Sequence, residues 1–171
     1  MNIKRIFFAL WPDHRQRERL RDIISPVAKE IEGRAVDRGN WHVTLAFIGD
    51  LDVRFIPGLM DAAREIQMEP FRLRLDRLEF WPRPKIAAVV PPRVPPDMEA
   101  LVGKLNSLML DVGVEPPDRV YRPHITVARN VRHFEPIKLP LSAEIEWSRF
   151  ELLESVTEAG RTTYRPLLND F

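Results

Sequence analysis

The stretch Arg38-Gly-Asn-Trp-His42-Val-Thr44-Leu-Ala-Phe-Ile-Gly49 has the composition of a β-strand, with β-branched and aromatic residues between two glycines. Because successive side chains of a strand point to opposite faces, this strand is predicted to have a small, partly polar face and an apolar face. The first face carries His42, Thr44 and Ala46, and the second carries Val43, Leu45 and Phe47. A histidine and a threonine two residues apart can then point together into a cleft.

A second stretch repeats this pattern: Arg122-Pro123-His124-Ile125-Thr126-Val127-Ala128-Arg129. His124, Thr126 and Ala128 again share a predicted face, opposite Ile125 and Val127. One such strand alone would more often contain a structural histidine. The chain has four histidines, however, and two of them occupy matching His-x-Thr strands, which favours a common site.

Composition limits the possible classes of protein. The chain has 171 residues, of which 44% are hydrophobic and 30% charged, and we expect a single globular domain over residues 1–171. The net charge of +1 excludes a strong overall attraction to nucleic acid, so any contact with RNA would depend on local arginines. The absence of cysteine excludes disulfides and thiolate metal sites, and it suits a reducing cytoplasm. The apolar run at residues 6–11 is too short to span a membrane and lacks a signal-peptide cleavage site, so we expect it to form the first strand.

Three segments have helical periodicity. The first is predicted to begin after an N-cap at Asp13, and Pro26 is expected to kink or end it near Ser25. The second has Pro57 in its first turn, and the third ends at Gly113. The arginines of the first segment are interspersed with acids and are interpreted as a solvated helix face: Arg15, Arg17, Arg19 and Arg21.

Further strands are predicted at 71–80, Ile86–Val90 and 143–153, and the first of these has a change of parity that indicates a β-bulge near Asp76-Arg77. Segments 73–80 and 145–152 share the pattern apolar-x-apolar-x-Arg-apolar-Glu-apolar, and each follows a His-x-Thr strand. We interpret them as parts of two related lobes whose equivalent strands face each other across a cleft.

Two imidazoles and two hydroxyls on facing strands suit acid–base chemistry at phosphorus. The unperturbed pKa of histidine lies near neutrality, so one ring can accept a proton from a nucleophile while the other protonates the leaving oxygen. Thr44 and Thr126 can donate hydrogen bonds to the non-bridging phosphoryl oxygens. Arg129 can add charge-assisted hydrogen bonds, but only if the strand ends or twists there, because strict alternation places it opposite His124.

Other kinds of site fit less well. A zinc site needs three or four ligands, and two histidines with no cysteine and no nearby carboxylate supply too few. A Ser-His-Asp hydrolase would have a Gly-x-Ser-x-Gly elbow, which is absent, and there is no glycine-rich phosphate loop. Two alternatives remain open: a non-catalytic module that binds RNA ends or nucleotides, and a phosphodiesterase acting on a small cyclic nucleotide or an ADP-ribose cyclic phosphate.

The chain resembles the two-histidine (2H) phosphoesterases, and within them the RNA 2′,3′-cyclic phosphodiesterases, also described as 2′-5′ RNA ligases. The resemblance rests on the motifs at 42–45 and 124–127 and extends over nearly the full length through weaker segments at 5–9, 150–155 and 160–167. It implies a two-lobed α+β fold, with antiparallel sheets enclosing a central cleft and helices on the outside. The second motif ends in Val127, where the family more often has leucine, and we expect little consequence because that side chain points away from the cleft.

The reaction implied by the resemblance is hydrolysis of a 2′,3′-cyclic phosphate at an RNA end to a 2′-phosphomonoester, with no cofactor and no metal. In it His124 accepts a proton from water and His42 donates one to the leaving 3′-oxygen, although the residue pattern itself leaves these two roles open. The reverse reaction, a 2′-5′ ligation, follows from microscopic reversibility. The expected partners are RNA with a cyclic phosphate end, tRNA fragments among them, or a nucleotide. We expect a cytoplasmic monomer that does not bind membranes.

Overall fold

The computed structural model describes residues 2–167, so Met1 and residues 168–171 of the expected domain lie outside the described residues. Within that range the strands form two antiparallel sheets. Their bounds are β1 Ile3–Leu10, β2 Arg34–Ala35, β3 Val43–Asp52, β4 Phe71–Trp81, β5 Ile86–Val90, β6 Ile125–Arg129, β7 Ile137–Trp147, β8 Glu151–Glu158 and β9 Arg161–Pro166. The first sheet has the order β3-β1-β8-β9 and the second has the order β2-β6-β5-β4-β7. The predicted α+β class is confirmed.

Residues 2–167 contain three α-helices: α1 His14–Ala28, α2 Ile56–Arg64 and α3 Pro96–Asp111. Helix α1 follows a strand of the first sheet but packs against β7 and β6 of the second, whereas α3 follows a strand of the second sheet but packs against β3 of the first. Side chains from both sheets and all three helices form one apolar core. The two sheets therefore cannot separate without exposing that core. No helix within residues 2–167 is long and apolar enough to cross a membrane.

The start of α1 is fixed by the predicted cap. The Asp13 carboxylate accepts a hydrogen bond from the Gln16 amide at 2.8 Å, and the Gln16 side chain accepts one from the Asp13 amide at 2.8 Å. This reciprocal pair is a capping box, which satisfies two of the free N–H groups at a helix start. Gln16 also donates to the main-chain carbonyl of Glu146 at 2.8 Å, which attaches the beginning of α1 to β7.

Of the two effects expected of Pro26, a kink or the end of the helix near Ser25, the second is wrong, because α1 continues to Ala28. Pro26 lies in the last turn of α1. Because proline has no backbone N–H, the helix loses one hydrogen bond there, the one to the carbonyl of Asp22. Both residues are exposed, so water can satisfy that carbonyl. The other helix predictions are confirmed: Pro57 lies in the first turn of α2, and Gly113 follows α3 with a left-handed φ of 76°.

The strand predicted at 143–153 is two strands in different sheets. The chain leaves the second sheet at Trp147 and joins the first at Glu151, with residues 148–150 between them. Phe150 turns into the core against Phe8, with ring centroids 5.8 Å apart. The change of parity in the sequence therefore marks a crossing between sheets, which periodicity alone cannot distinguish from an irregularity within one strand.

The proposed correspondence between segments 73–80 and 145–152 is also wrong. Leu73 pairs directly with Ile145, so the two segments are hydrogen-bonded neighbours in one sheet and do not face each other across a cleft. The second segment, moreover, spans the break between β7 and β8. The bulge predicted near Asp76-Arg77 is confirmed, because the pairing of β4 with β7 shifts between Leu75 and Arg77.

Removal of the capping box gives a direct test of how α1 is held. Asp13→Ala is expected to lower the free energy of unfolding by about 1 kcal/mol, since it leaves helix N–H groups without an acceptor. Urea denaturation measures this difference. The neighbouring exposed residue supplies a control: His14→Ala should change stability by no more than about 0.5 kcal/mol. Equal values for the two variants would show that the box contributes nothing.

Candidate active site

The two histidines lie immediately before strands β3 and β6, and both rings are held in the same way. The Nδ1 atom of His42 is 2.8 Å from the carbonyl oxygen of Asn40, and that of His124 is 2.9 Å from the carbonyl oxygen of Arg122. A carbonyl can only accept, so Nδ1 carries the proton in each ring. In the neutral state Nε2 of each ring is therefore an acceptor. In His42 this atom lies 3.0 Å from the Thr44 hydroxyl, which donates to it.

Both motif strands slip by one residue directly after the threonine. On β3, Thr44 pairs with Ala9 and Ala46 pairs with Phe8, so Leu45 is an extra residue. On β6, Thr126 pairs with Ala88 and Ala128 with Ala87, which leaves Val127 extra in the same way. The burial patterns of the two motifs match residue for residue over 42–47 and 124–129. The two motifs thus share one local structure.

This slip corrects the faces that strict alternation assigns. Ala46 and Ala128 were predicted to face the cleft but are buried in the core beside Leu45 and Val127. Two consecutive inward residues reset the alternation, as a β-bulge does. Phe47 is consequently 43% exposed, although the pattern placed it on the apolar face.

Arg129 is exposed, and it occupies the same position in the second motif as Phe47 in the first. A role for Arg129 at the site depends on a break in the strict alternation of β6. The shift at Val127 is such a break, and it places Arg129 on the same side of the strand as Thr126. Its charge acts on both histidines, lowering the pKa of each ring. The positively charged form of His124 likewise lowers the pKa of His42, so the two imidazoles interact with each other.

Aromatic rings enclose His42, and the sequence patterns did not indicate them. Phe7 of β1 lies 5.0 Å from the imidazole between ring centroids, Tyr164 of β9 lies 4.9 Å away, and Trp11 lies 6.2 Å away. The signal available in the sequence was the continuous apolar run of β1. Such a run indicates a strand that is covered on both faces, and Phe7 and Trp11 belong to the face turned from the main core.

His124 lies beside Trp81, at the end of β4, with ring centroids 4.4 Å apart. The Trp81 indole donates to the Glu79 carboxylate at 3.1 Å, and the Arg122 guanidinium stacks 4.3 Å from the indole ring. Arg122 also donates to Glu79 at 3.1 Å. This network fixes the ring against which His124 packs.

Arg17 is an exception to the solvated face predicted for α1. It donates to the main-chain carbonyls of Arg38 at 2.7 Å and Trp41 at 3.0 Å, and its guanidinium lies 4.4 Å from the centre of the Trp11 ring. It thereby supports the turn that leads into His42. Arg15 and Arg19 are exposed, as predicted.

Tyr121 connects the two motifs. It precedes His124 by three residues, and its hydroxyl donates to the main-chain carbonyl of Thr44 at 2.8 Å. Burial raises the pKa of this phenol, so the hydroxyl stays protonated and remains a donor at neutral pH. Phe8, next to Phe7 on β1, is fully buried in the core and cannot contact a substrate.

Both imidazoles are neutral at pH 7 in the free site. Burial lowers the pKa of His42 to about 4, and the charges of His124, Arg129 and Arg17 act in the same direction, against the acceptor carbonyl of Asn40. Burial also lowers the pKa of His124, and the charges of Arg122, Arg119 and Arg129 add to this effect. A bound phosphate anion would offset the positive surroundings and raise both pKa values. The site is therefore able to take up a proton when an anion binds.

The other two histidines lie elsewhere. His14 is exposed at the start of α1, and His133 packs its ring against Phe80 and lies 3.6 Å from the Glu135 carboxylate. Residues 2–167 contain no group of three or more histidine, aspartate or glutamate side chains placed to hold a metal ion. The donor set at the two motifs is thus two imidazoles and two hydroxyls.

Comparison with known proteins gives consistent relatives. The family model described as LigT-like phosphoesterase matches residues 10–90. An RNA 2′,3′-cyclic phosphodiesterase from Escherichia coli (strain K12) is 29% identical over 168 residues, covering 96% of this chain and 94% of that protein. A protein of the same name from Aeropyrum pernix is 28% identical over 114 residues, covering 65% of this chain and 64% of its own length. The crystal structure of E. coli LigT in apo form superposes with a TM-score of 0.84 at 30% identity, covering 98% of this chain and 96% of that chain.

The protonation state of the histidines can be measured directly. In the free protein at pH 7, both rings are expected to be neutral Nδ1–H tautomers, and His42 should titrate with a pKa of about 4. Inorganic phosphate should raise that pKa, because it places negative charge beside the ring. Histidine side-chain ¹⁵N NMR as a function of pH reports both quantities. An Nε2–H tautomer, or a pKa for His42 that phosphate does not change, would contradict this description.

Proposed function

Since this chain belongs to the LigT-like phosphoesterase family, we propose that it hydrolyses RNA 2′,3′-cyclic phosphate ends to 2′-phosphomonoesters by acid–base catalysis between His42 and His124. The observation that carries the proposal is the matched pair of motifs, in which each imidazole has Nδ1 fixed on a carbonyl and Nε2 available for proton transfer. Relatives named RNA 2′,3′-cyclic phosphodiesterase support the substrate class. A structure of E. coli LigT complexed with 3′-AMP, at 30% identity, supports a nucleotide end as the ligand.

In this mechanism His124 Nε2 accepts a proton from water as the water oxygen attacks phosphorus. The bond from phosphorus to the 3′-oxygen breaks, and His42 Nε2 donates its proton to that oxygen. The products are a 3′-hydroxyl and a 2′-phosphomonoester, and the proton taken by His124 returns to solvent. Binding of the substrate anion raises the pKa of His42, so that Nε2 takes up a proton from solvent. Because burial disfavours the charged ring, His42 then gives this proton up readily, which suits protonation of an alkoxide leaving group.

The hydroxyls and Arg129 would stabilise the charge on the phosphoryl oxygens. In the free site the Thr44 hydroxyl donates to His42 Nε2. When that nitrogen is protonated it no longer accepts, and the hydroxyl can rotate to donate to a phosphoryl oxygen. Thr126 occupies the position in the second motif that Thr44 has in the first. Arg129, whose charge acts on both rings, would add charge-assisted hydrogen bonds to the same oxygens.

Several expectations from the sequence remain part of this proposal: one domain of two related lobes, a monomer, a cytoplasmic location, and action on RNA ends such as tRNA fragments without metal, cofactor or membrane. Ligation would use the free 5′-hydroxyl of a second RNA end in place of water and would not be the chemical reverse of the hydrolysis. His124 would accept the proton of that hydroxyl as its oxygen attacks phosphorus, the bond from phosphorus to the 3′-oxygen would break with proton donation from His42, and a 2′-5′ linkage would form.

Substitution of the histidines tests the reaction. With a short oligonucleotide 2′,3′-cyclic phosphate as substrate, His42→Ala and His124→Ala are each expected to lower kcat by roughly 10²–10⁴-fold. His14→Ala and His133→Ala are matched controls that should keep the wild-type rate and its insensitivity to EDTA. Full activity in either motif variant would refute the assigned roles. Tight binding of the substrate with no turnover by the wild-type protein would support the non-catalytic alternative.

The dependence of kcat/KM on pH tests the electrostatics of the site. Arg129→Gln removes a positive charge that lowers the pKa of both histidines, so both limbs of the bell-shaped profile should move to higher pH. The maximum of kcat/KM should also fall by roughly 10- to 100-fold, because a charge-assisted hydrogen bond to the phosphate is lost. Arg19→Gln, an exposed substitution on α1, should leave the profile unchanged. A profile that stays in place or moves to lower pH in Arg129→Gln would show that Arg129 does not act on the two rings.

A further inference from the structure

A second arginine lies next to Arg129 on the same face of the sheet. Strand β2 consists of two residues, and Arg34 pairs directly with Arg129. Residues paired in this way in an antiparallel ladder project from the same face, with Cα atoms about 5 Å apart. Arg129 also pairs with Ile86 on its other side, and Ile86 pairs with Trp81, whose ring lies beside His124. Arg34 therefore stands at the outer edge of the surface that carries His124.

The two arginines carry uncompensated charge. Both are exposed, and within residues 2–167 no carboxylate forms an ion pair with either of them. The acids nearest to Arg34 in sequence are engaged elsewhere: Glu32 pairs with Arg132 at 3.4 Å, and Asp37 accepts from the Gly39 amide at 2.7 Å. Like charges directly opposite each other destabilise a sheet. Such a pair beside a phosphate site is suited to a ligand with more than one negative charge.

The backbone that presents Arg34 is tightly held. A Cβ atom on Gly33 would lie 2.9 Å from a methyl group of Val131 and 3.0 Å from the carbonyl oxygen of Arg129, so this position requires glycine for β2 to approach β6. At the other end of β2, the Val36 amide donates to the Val127 carbonyl at 2.9 Å. Arg34 thus extends from a fixed position next to the slip that directs Arg129.

We propose that Arg34 binds the phosphate that precedes the reacting one, so that the protein recognises an RNA end by two adjacent phosphates. This inference rests on the proposed function. The terminal nucleotide of RNA carries its cyclic phosphate on the 2′- and 3′-oxygens and the preceding chain phosphate on its 5′-oxygen. With Arg129 at the cyclic phosphate, Arg34 is the neighbouring cation in position for the 5′-phosphate. The substrate class is then single-stranded RNA, and a cyclic mononucleotide with a free 5′-hydroxyl is a poorer substrate.

The test uses two small substrates that differ by one phosphate: a nucleoside 2′,3′-cyclic phosphate with a 5′-hydroxyl, and the same compound with a 5′-phosphate. A trinucleotide 2′,3′-cyclic phosphate extends the series. The wild-type protein is expected to have a higher kcat/KM for the two longer substrates. In Arg34→Gln the ratio of kcat/KM between the phosphorylated and unphosphorylated compounds should fall about tenfold, the effect of one charge-assisted hydrogen bond. For the trinucleotide, the slope of log(kcat/KM) against log salt should become shallower by about 0.7.

Two further variants complete the experiment. Arg34→Lys retains a cation and should keep most of the salt dependence, whereas Arg19→Gln removes an exposed cation from α1 and should keep the wild-type ratio. Equal kcat/KM for the two small substrates in the wild-type protein would overturn this inference and leave the proposed hydrolysis intact. An equal loss on both substrates in Arg34→Gln would overturn it as well, because it would indicate damage to β6. Failure of the wild-type protein to hydrolyse any of the three substrates would instead overturn the proposed function, and the inference with it.

Discussion

The one-residue slips at Leu45 and Val127 determine what the cleft presents. In each motif two consecutive residues turn into the core, and the next side chain returns to the side of the threonine. Without the slip, Arg129 would point towards the core, where an unpaired guanidinium is strongly unfavourable. With it, one strand can supply an imidazole, a hydroxyl and a cation to one surface. Bulges of this kind commonly redirect side chains beside active sites.

The same slip gives different results in the two lobes because the residue that follows it differs. In the second lobe it is Arg129, and in the first it is Phe47, which stacks with Phe7 beside His42. The His42 side of the site is consequently more aromatic and the His124 side more positively charged. Burial among aromatic rings disfavours the imidazolium form, which is the largest cause of the low pKa of His42. Related local structures thus provide two histidines with different surroundings, which suits the separate acid and base roles proposed for them.

The spacing of the two motifs depends on contacts between parts of the chain that are distant in sequence. The Tyr121 hydroxyl, three residues before His124, donates a hydrogen bond to the backbone carbonyl of Thr44. Arg17 of α1 donates hydrogen bonds to two carbonyls of the turn before His42. Helices α1 and α3 each pack against the sheet to which their preceding strand does not belong. The proposed acid–base catalysis at one phosphorus would require the two histidines to be held within a fraction of an ångström. A shared core and direct links between the motifs are suited to maintaining that precision.

The sequence by itself determined the paired motifs, the α+β class, the cap at Asp13 and the bulge near Asp76, because each of these follows from residue types at short spacing. It was wrong about the faces of Ala46, Phe47 and Ala128 and about the single strand at 143–153. Those features depend on how a strand aligns with a partner far along the chain, and alternation within one segment carries no information about that alignment. The involvement of Arg17 and Trp81 was likewise decided only by the tertiary structure. A helical arginine and a tryptophan near a turn look like any others until packing brings them to a histidine.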